Sequence, residues 1–84
     1  MIDKKIKSRA RRIPTDIIVG KRGLKEGMII EIKRHLKEKK LVKVKFLKSA
    51  IEDLDKKKVF SGLAEKTNSE LVYSVGFTVT LYRK

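Results

Sequence analysis

The sequence predicts an α/β fold with elements in the order α-β-α-β-α-β-β. Three observations carry that prediction. Apolar residues recur at helical spacing in three stretches, and between these stand β-branched or alternating runs typical of strands. Two glycines, Gly20 and Gly23, join the run Ile17-Ile18-Val19 to a helix-like run from Met28 to Leu36. The 84 residues, 40% of them apolar, suffice for one small domain, 1–84, with a single core.

Residues 2–12 read as a helix, with Ile2, Ile6, Ala10 and Ile13 on one narrow stripe and Lys4, Lys7 and Arg11 on the far side. Pro14 stops it, because the residue before a proline disfavours the helical region. Thr15 to Val19 is a short strand, and three consecutive β-branched residues predict burial on both of its faces. A helix follows from about Lys25 to Lys39, with Met28, Ile29, Ile32 and Leu36 as its buried stripe and Lys33, Arg34 and Lys37 opposite. Gly27 in its first turn costs about 1 kcal/mol relative to alanine. That cost implies something packed closely against it, either the strand or a ligand.

Leu41 to Leu47 alternates, with Val42, Val44 and Phe46 inward and Lys43 and Lys45 outward, as a strand with one wet face does. Strand, helix and strand with short links form a βαβ unit, expected to be parallel. Ser49 and Glu52 have the spacing of a capping box. The register of Ile51 and Leu54 nevertheless breaks from that of Phe60, Leu63 and Ala64, which puts the main helix at about 56–66 with Asp55 as its N-cap. Residues 49–54 are then a turn or a short separate helix. Two strands complete the chain, Glu70 to Val75 and Phe77 to Tyr82, divided at Gly76 by a bulge or a wider turn. In the second, Phe77, Val79 and Leu81 face one way, and Thr78, Thr80 and Tyr82 the other. As the last strand it is a candidate free edge, so monomer or weak dimer is the expected state.

A net charge of +13 dominates the composition, and it is uneven: residues 1–45 carry +11 and residues 46–84 carry +2. Such concentrated charge costs stability through self-repulsion, which a polyanionic partner offsets. Nucleic acid fits best. An anionic membrane surface comes second and lacks its usual Trp- and Phe-rich amphipathic helix. No apolar run is long enough to span a bilayer, the first residues hold no secretory signal, and there is no cysteine. Together these point to a cytoplasmic protein. The absence of Gln, the single Asn68 and the abundance of Lys, Glu and Ile match a thermophile tendency.

Gly20-Lys21-Arg22-Gly23 is the motif the chain is organised around. A strand that delivers a glycine loop to a helix start offers backbone N–H groups to phosphate, and Lys21 and Arg22 add charge there. The spacing alone also describes an ordinary turn. No Walker loop and no dinucleotide fingerprint is present, so nucleotide hydrolysis and nicotinamide chemistry lose their usual support. What remains is a backbone cradle for a nucleic-acid strand, of the kind KH domains use.

Taken together, Gly20-Lys21-Arg22-Gly23-Leu24, Glu26-Gly27, Leu41 to Lys45, Leu63-Ala64-Glu65-Lys66-Thr67, Leu71-Val72, Gly76 and Leu81-Tyr82-Arg83 resemble the CRM (chloroplast RNA splicing and ribosome maturation) domain. Its single-domain prokaryotic form is YhbY-like. The resemblance covers residues 2–83. It departs at Lys25, where a helix-capping threonine is expected, and at Arg22, where asparagine is common. It implies a four-stranded mixed sheet packed with helices, similar to the C-terminal domain of translation initiation factor three. It further implies RNA binding, with prokaryotic members linked to large-subunit ribosomal RNA precursors and plant members to splicing.

The expected RNA contacts are Gly20, Lys21, Arg22 and Gly23, extended by Lys25, Lys33, Arg34 and Lys37, whose helix face solvation alone would also explain. Arg9, Arg11 and Arg12 are candidates of the same kind. Tyr82 would stack a base and Arg83 hold a phosphate, although a strand tyrosine is more often structural. Tyr73 reads as core or sheet surface. His35 has no cysteine or correctly spaced carboxylate to make a metal site or triad. Asp53 and Asp55 favour a helix start rather than acid–base work. No enzyme, cofactor, metal or small-molecule substrate is expected. The leading reading is a ribosomal RNA assembly or maturation factor; the alternatives are a DNA-coating chromatin protein and a resident ribosomal protein.

Overall fold

The computed structural model describes residues 4–84. Its elements are α1 (Lys4–Arg12), β1 (Ile17–Val19), α2 (Glu26–Lys39), β2 (Leu41–Phe46), α3 (Lys48–Ile51), α4 (Lys56–Lys66), β3 (Ser69–Val75) and β4 (Thr78–Arg83). The strands form one mixed sheet in the order β1-β2-β4-β3. β1 runs parallel to β2, with Ile17 beside Val44 and Val19 beside Phe46. The other two pairings are antiparallel. The α/β architecture and element order are those the sequence predicts, with the short separate helix α3 at 48–51. Ile2, placed on the first helix by its spacing, lies outside the described residues.

Alternation in β2 sets the core. Val42, Val44 and Phe46 point to one face, beside Val79 and Leu81 of β4 and Ile17 and Val19 of β1. Ile32 and Leu36 of α2, Ile51 of α3, and Phe60, Leu63 and Ala64 of α4 cover that face. Phe46 and Phe60 meet with ring centroids 5.4 Å apart. The opposite face is covered in part, though Ile18 and Lys45 stay exposed on it. α1 lies over it, burying Ala10 and Thr80 completely, and the Thr80 hydroxyl donates to the Ala10 carbonyl at 3.3 Å. The wet face expected of β2 at Lys43, which pairs with Thr80, thus carries a second, thinner layer.

Four further expectations are corrected. β1 is an edge strand, so only Ile17 and Val19 are buried and Ile18 is 57% exposed. β4 lies between β2 and β3 and is no free edge; the edges are β1 and β3. Phe77 is not in the strand: Gly76 and Phe77 make a two-residue turn between the paired Val75 and Thr78. Positive φ at Gly76 but not at Phe77 is the type II′ hairpin pattern. Ser49 caps nothing, since α3 starts after Leu47 without a side-chain cap. Asp55 does cap α4, accepting from the Lys57 N–H at 3.1 Å.

One carboxylate ties the edge strand down. Asp16 accepts from the Lys43 backbone N–H at 3.1 Å and from Lys39 Nζ at 2.7 Å, joining β1, β2 and the end of α2. Its side chain is only 9% exposed.

Candidate nucleic-acid interface

Because β1 and β2 are parallel, the connections leaving both emerge at the same end of the sheet. Gly20 to Gly23 occupies that end, beside Leu47, whose N–H donates to the Val19 carbonyl at 2.9 Å. The loop is a tight turn closed by the Gly23 N–H on the Gly20 carbonyl at 2.9 Å, with exposed Lys21 and Arg22 at its tip. Gly23 then takes φ +75°, which turns the chain toward α2 and which L side chains adopt only under strain.

Gly20 has no such need. Its φ is not positive, and an added Cβ would meet only Leu47 Cδ1 at 4.0 Å, an ordinary contact. Gly27 is exposed in the first turn of α2, with nothing within 4 Å of an added Cβ. The strand is therefore not what packs against it. The fold itself requires neither glycine, yet both leave backbone open to close approach. Lys25, at the N-cap, has an extended backbone and makes no side-chain cap, as its replacement of threonine foretold. Donors of the first helical turn consequently face the loop without a side-chain acceptor from Lys25.

The remaining predicted contacts do not converge on this loop. Lys33, Arg34 and Lys37 are exposed along α2, leading away from Lys25. Arg83 sits at the far end of that helix, donating from Nη1 to the Lys37 carbonyl at 3.0 Å. The 14 residues of α2 put that end about 20 Å from the loop. Tyr82 is half-buried there, paired with Leu41 and Glu70, so it is a sheet residue rather than an edge. Arg9, Arg11 and Arg12 belong to α1 on the opposite face of the sheet. Arg11 lies over the Tyr73 ring at 5.3 Å, and Arg12 donates to Ser8 at 3.0 Å. The basic residues thus fall into three groups: the loop with Lys25, the C-terminal half of α2 with Arg83, and α1.

His35 is half-buried on α2 with Glu31 3.9 Å away. Among the described residues no three His, Cys, Asp or Glu side chains gather as a metal site would require. No helix among them is long and apolar enough to cross a membrane.

The model of the CRS1 / YhbY (CRM) domain matches residues 3–83. A Methanocaldococcus jannaschii protein named as a probable RNA-binding protein is 37% identical over 78 residues, covering 93% of this chain and 58% of that one. This chain therefore spans little more than half of that relative. YqeI of Bacillus subtilis, also named a probable RNA-binding protein, is 33% identical over 79 residues, 94% of this chain and 80% of its own length. The solution structure of a Staphylococcus aureus protein, described there as a candidate RNA binder, superposes with a TM-score of 0.77 at 35% identity. That match covers 100% of this chain and 90% of the other.

Proposed function

Since the chain belongs to the CRS1/YhbY (CRM) domain family, we propose that it is a non-catalytic RNA-binding protein that grips the RNA backbone through Gly20 to Gly23. The observation that carries this reading is the pair of glycines, Gly20 and Gly27, that neither φ nor packing explains, placed around two exposed cations at an uncapped helix start. Relatives named as RNA-binding proteins support the same partner. Phosphate would lie against the loop backbone, with Lys21 and Arg22 on its oxygens, and the strand would continue along Lys25, Lys33, Arg34 and Lys37. Selectivity would come from RNA shape, unpaired bases and 2′-hydroxyls rather than a major-groove code. Within this reading residues 1–84 act as one RNA-binding unit in the cytoplasm, on ribosomal RNA or a pre-ribosomal particle during large-subunit assembly. The family resemblance and the +13 charge are what support that finer role.

Gly23→Asp tests the loop. An added Cβ at Gly23 meets nothing within 4 Å, so the fold survives with about 1 kcal/mol of backbone strain. A carboxylate facing the phosphate should lower RNA affinity at least tenfold. Normal binding by the folded variant overturns the reading. Fluorescence anisotropy, with a labelled structured RNA challenged by unlabelled duplex DNA and by heparin, tests the partner. RNA should hold well beyond its charge; displacement by duplex DNA phosphate for phosphate would favour a DNA-coating role instead. If about five phosphates of a single strand are contacted, log K falls with log salt at a slope of about −3.5.

A further inference from the structure

An open cleft of about 290 Å³ lies between the Gly20–Gly23 loop and α4. Leu24, Phe46, Ala50, Leu54, Val59 and Leu63 give it apolar walls. Leu54 is 57% exposed, a large apolar side chain facing water. Two cations flank the cleft, Lys58 and Lys66, both exposed. They stand at i and i+8 on α4, on the inclined i, i+4, i+8 ridge that borders the cleft, about 12 Å apart along the helix. Gly62 stands halfway between them.

Gly62 is the telling residue. A glycine inside a helix weakens it relative to alanine. Its φ is not positive, and an added Cβ would meet no atom within 4 Å. The chain therefore gains nothing from it in backbone freedom or packing. It leaves a gap in the cleft wall between two lysines, where a side chain would otherwise stand. A flat apolar ligand with anionic groups on both sides fits such a site. The narrow volume suits one planar ring system rather than a larger molecule.

We propose that this cleft seats one unpaired nucleobase, with the phosphates on either side of it held by Lys58 and Lys66. The proposal rests on the loop reading above and adds to it the part of the nucleotide that is recognised. The loop holds backbone, and the cleft takes the base of an adjacent nucleotide. Unpaired strands are favoured over duplexes, because a paired base must first leave its stack, at a cost.

The test compares two strands of equal length, oligouridylate and the same ribose-phosphate chain without bases, by anisotropy competition at near-physiological salt. Wild-type protein should prefer the base-bearing strand by about fivefold or more, the scale of one base contact. Gly62→Leu puts a side chain where an added Cβ meets nothing within 4 Å, and its melting temperature should equal or exceed that of wild type, which certifies the fold. Leu54→Ser removes apolar wall at an exposed position. In both variants the preference should fall to about one. Equal binding of the two strands by wild type overturns the cleft proposal and leaves the loop reading standing. So does a variant that weakens both strands in the same proportion, since the cleft then holds only backbone. If neither strand binds, nor a structured RNA with unpaired loops, the loop reading falls and the cleft proposal with it.

Discussion

Lys40 shows how much a single residue conceals in a sequence. It follows α2 with φ 72°, a left-handed backbone on a residue with a Cβ. Its N–H donates to the Leu36 carbonyl and its carbonyl accepts from the Arg83 N–H at 2.8 Å, so helix end and β4 together hold it there. Lys40→Gly should therefore stabilise the protein by about 0.5–1 kcal/mol, read from a higher urea midpoint at unchanged slope. Gly23 was legible as a turn glycine, and a positive φ is a conformation glycine adopts freely. Lys40 was not, because nothing about a lysine signals positive φ. Gly20 is the converse: its type was legible as a loop glycine, but its φ and open surroundings are what make it dispensable to the fold. Gly20→Ala should keep the wild-type melting temperature while lowering RNA affinity, and unchanged affinity would show that nothing approaches that backbone.

At the scale of elements, the helices were read well because a stripe such as Ile32 and Leu36 opposite Lys33 and Lys37 admits one orientation toward a core. Strand environment was harder. Ile17-Ile18-Val19 predicts two buried faces, but β-branched residues suit an edge as well as a centre, and the place of a strand in the sheet depends on pairings made far along the chain. For the same reason the last strand in sequence proved to be an inner strand in space. What holds the three-residue β1 in place is Asp16, a contact across 27 residues to Lys43 that no local pattern reveals. Asp16→Ala should cost about 1.5–3 kcal/mol, because a charged acceptor is lost and a part-buried N–H is left unpaired. Lys39→Met should cost less than about 1 kcal/mol, since that lysine is half exposed. Chemical denaturation of the two variants measures the difference; equal losses would mean that the ion pair, not the backbone hydrogen bond, carries the effect.

For the whole molecule, composition announced the charge and the polyanionic partner it favours, but not where the charge would lie. Spacing placed Arg11 and Lys33 on helix faces; the sheet then set those faces on opposite sides of the protein. Lys58 and Lys66 were not among the expected RNA contacts because residues 46–84 are nearly neutral as a block, and only folding brings these lysines beside the loop. Unrelieved repulsion among so many cations makes stability depend on the medium. Heparin or RNA, by binding the folded form, should raise the melting temperature by several degrees at low salt, and the rise should shrink as salt is added. Calorimetry across a salt series checks this. The Lys-, Glu- and Ile-rich, Gln-free composition adds the expectation of a midpoint above about 65 °C even without polyanion.

Contact between Ala10 and Thr80 has a consequence for how the chain reaches its native state, since it joins positions 70 residues apart. β4 is the partner of both β2 and β3, so the sheet cannot close until residues up to Arg83 are available. The β3–β4 hairpin is local and can form early, whereas pairing β2 with β4 must close a long loop first. Synthesis thus produces α1 well before β4, the strand whose Thr80 it covers. Until β4 has emerged, Ala10, which is fully buried in the folded protein, is without its cover.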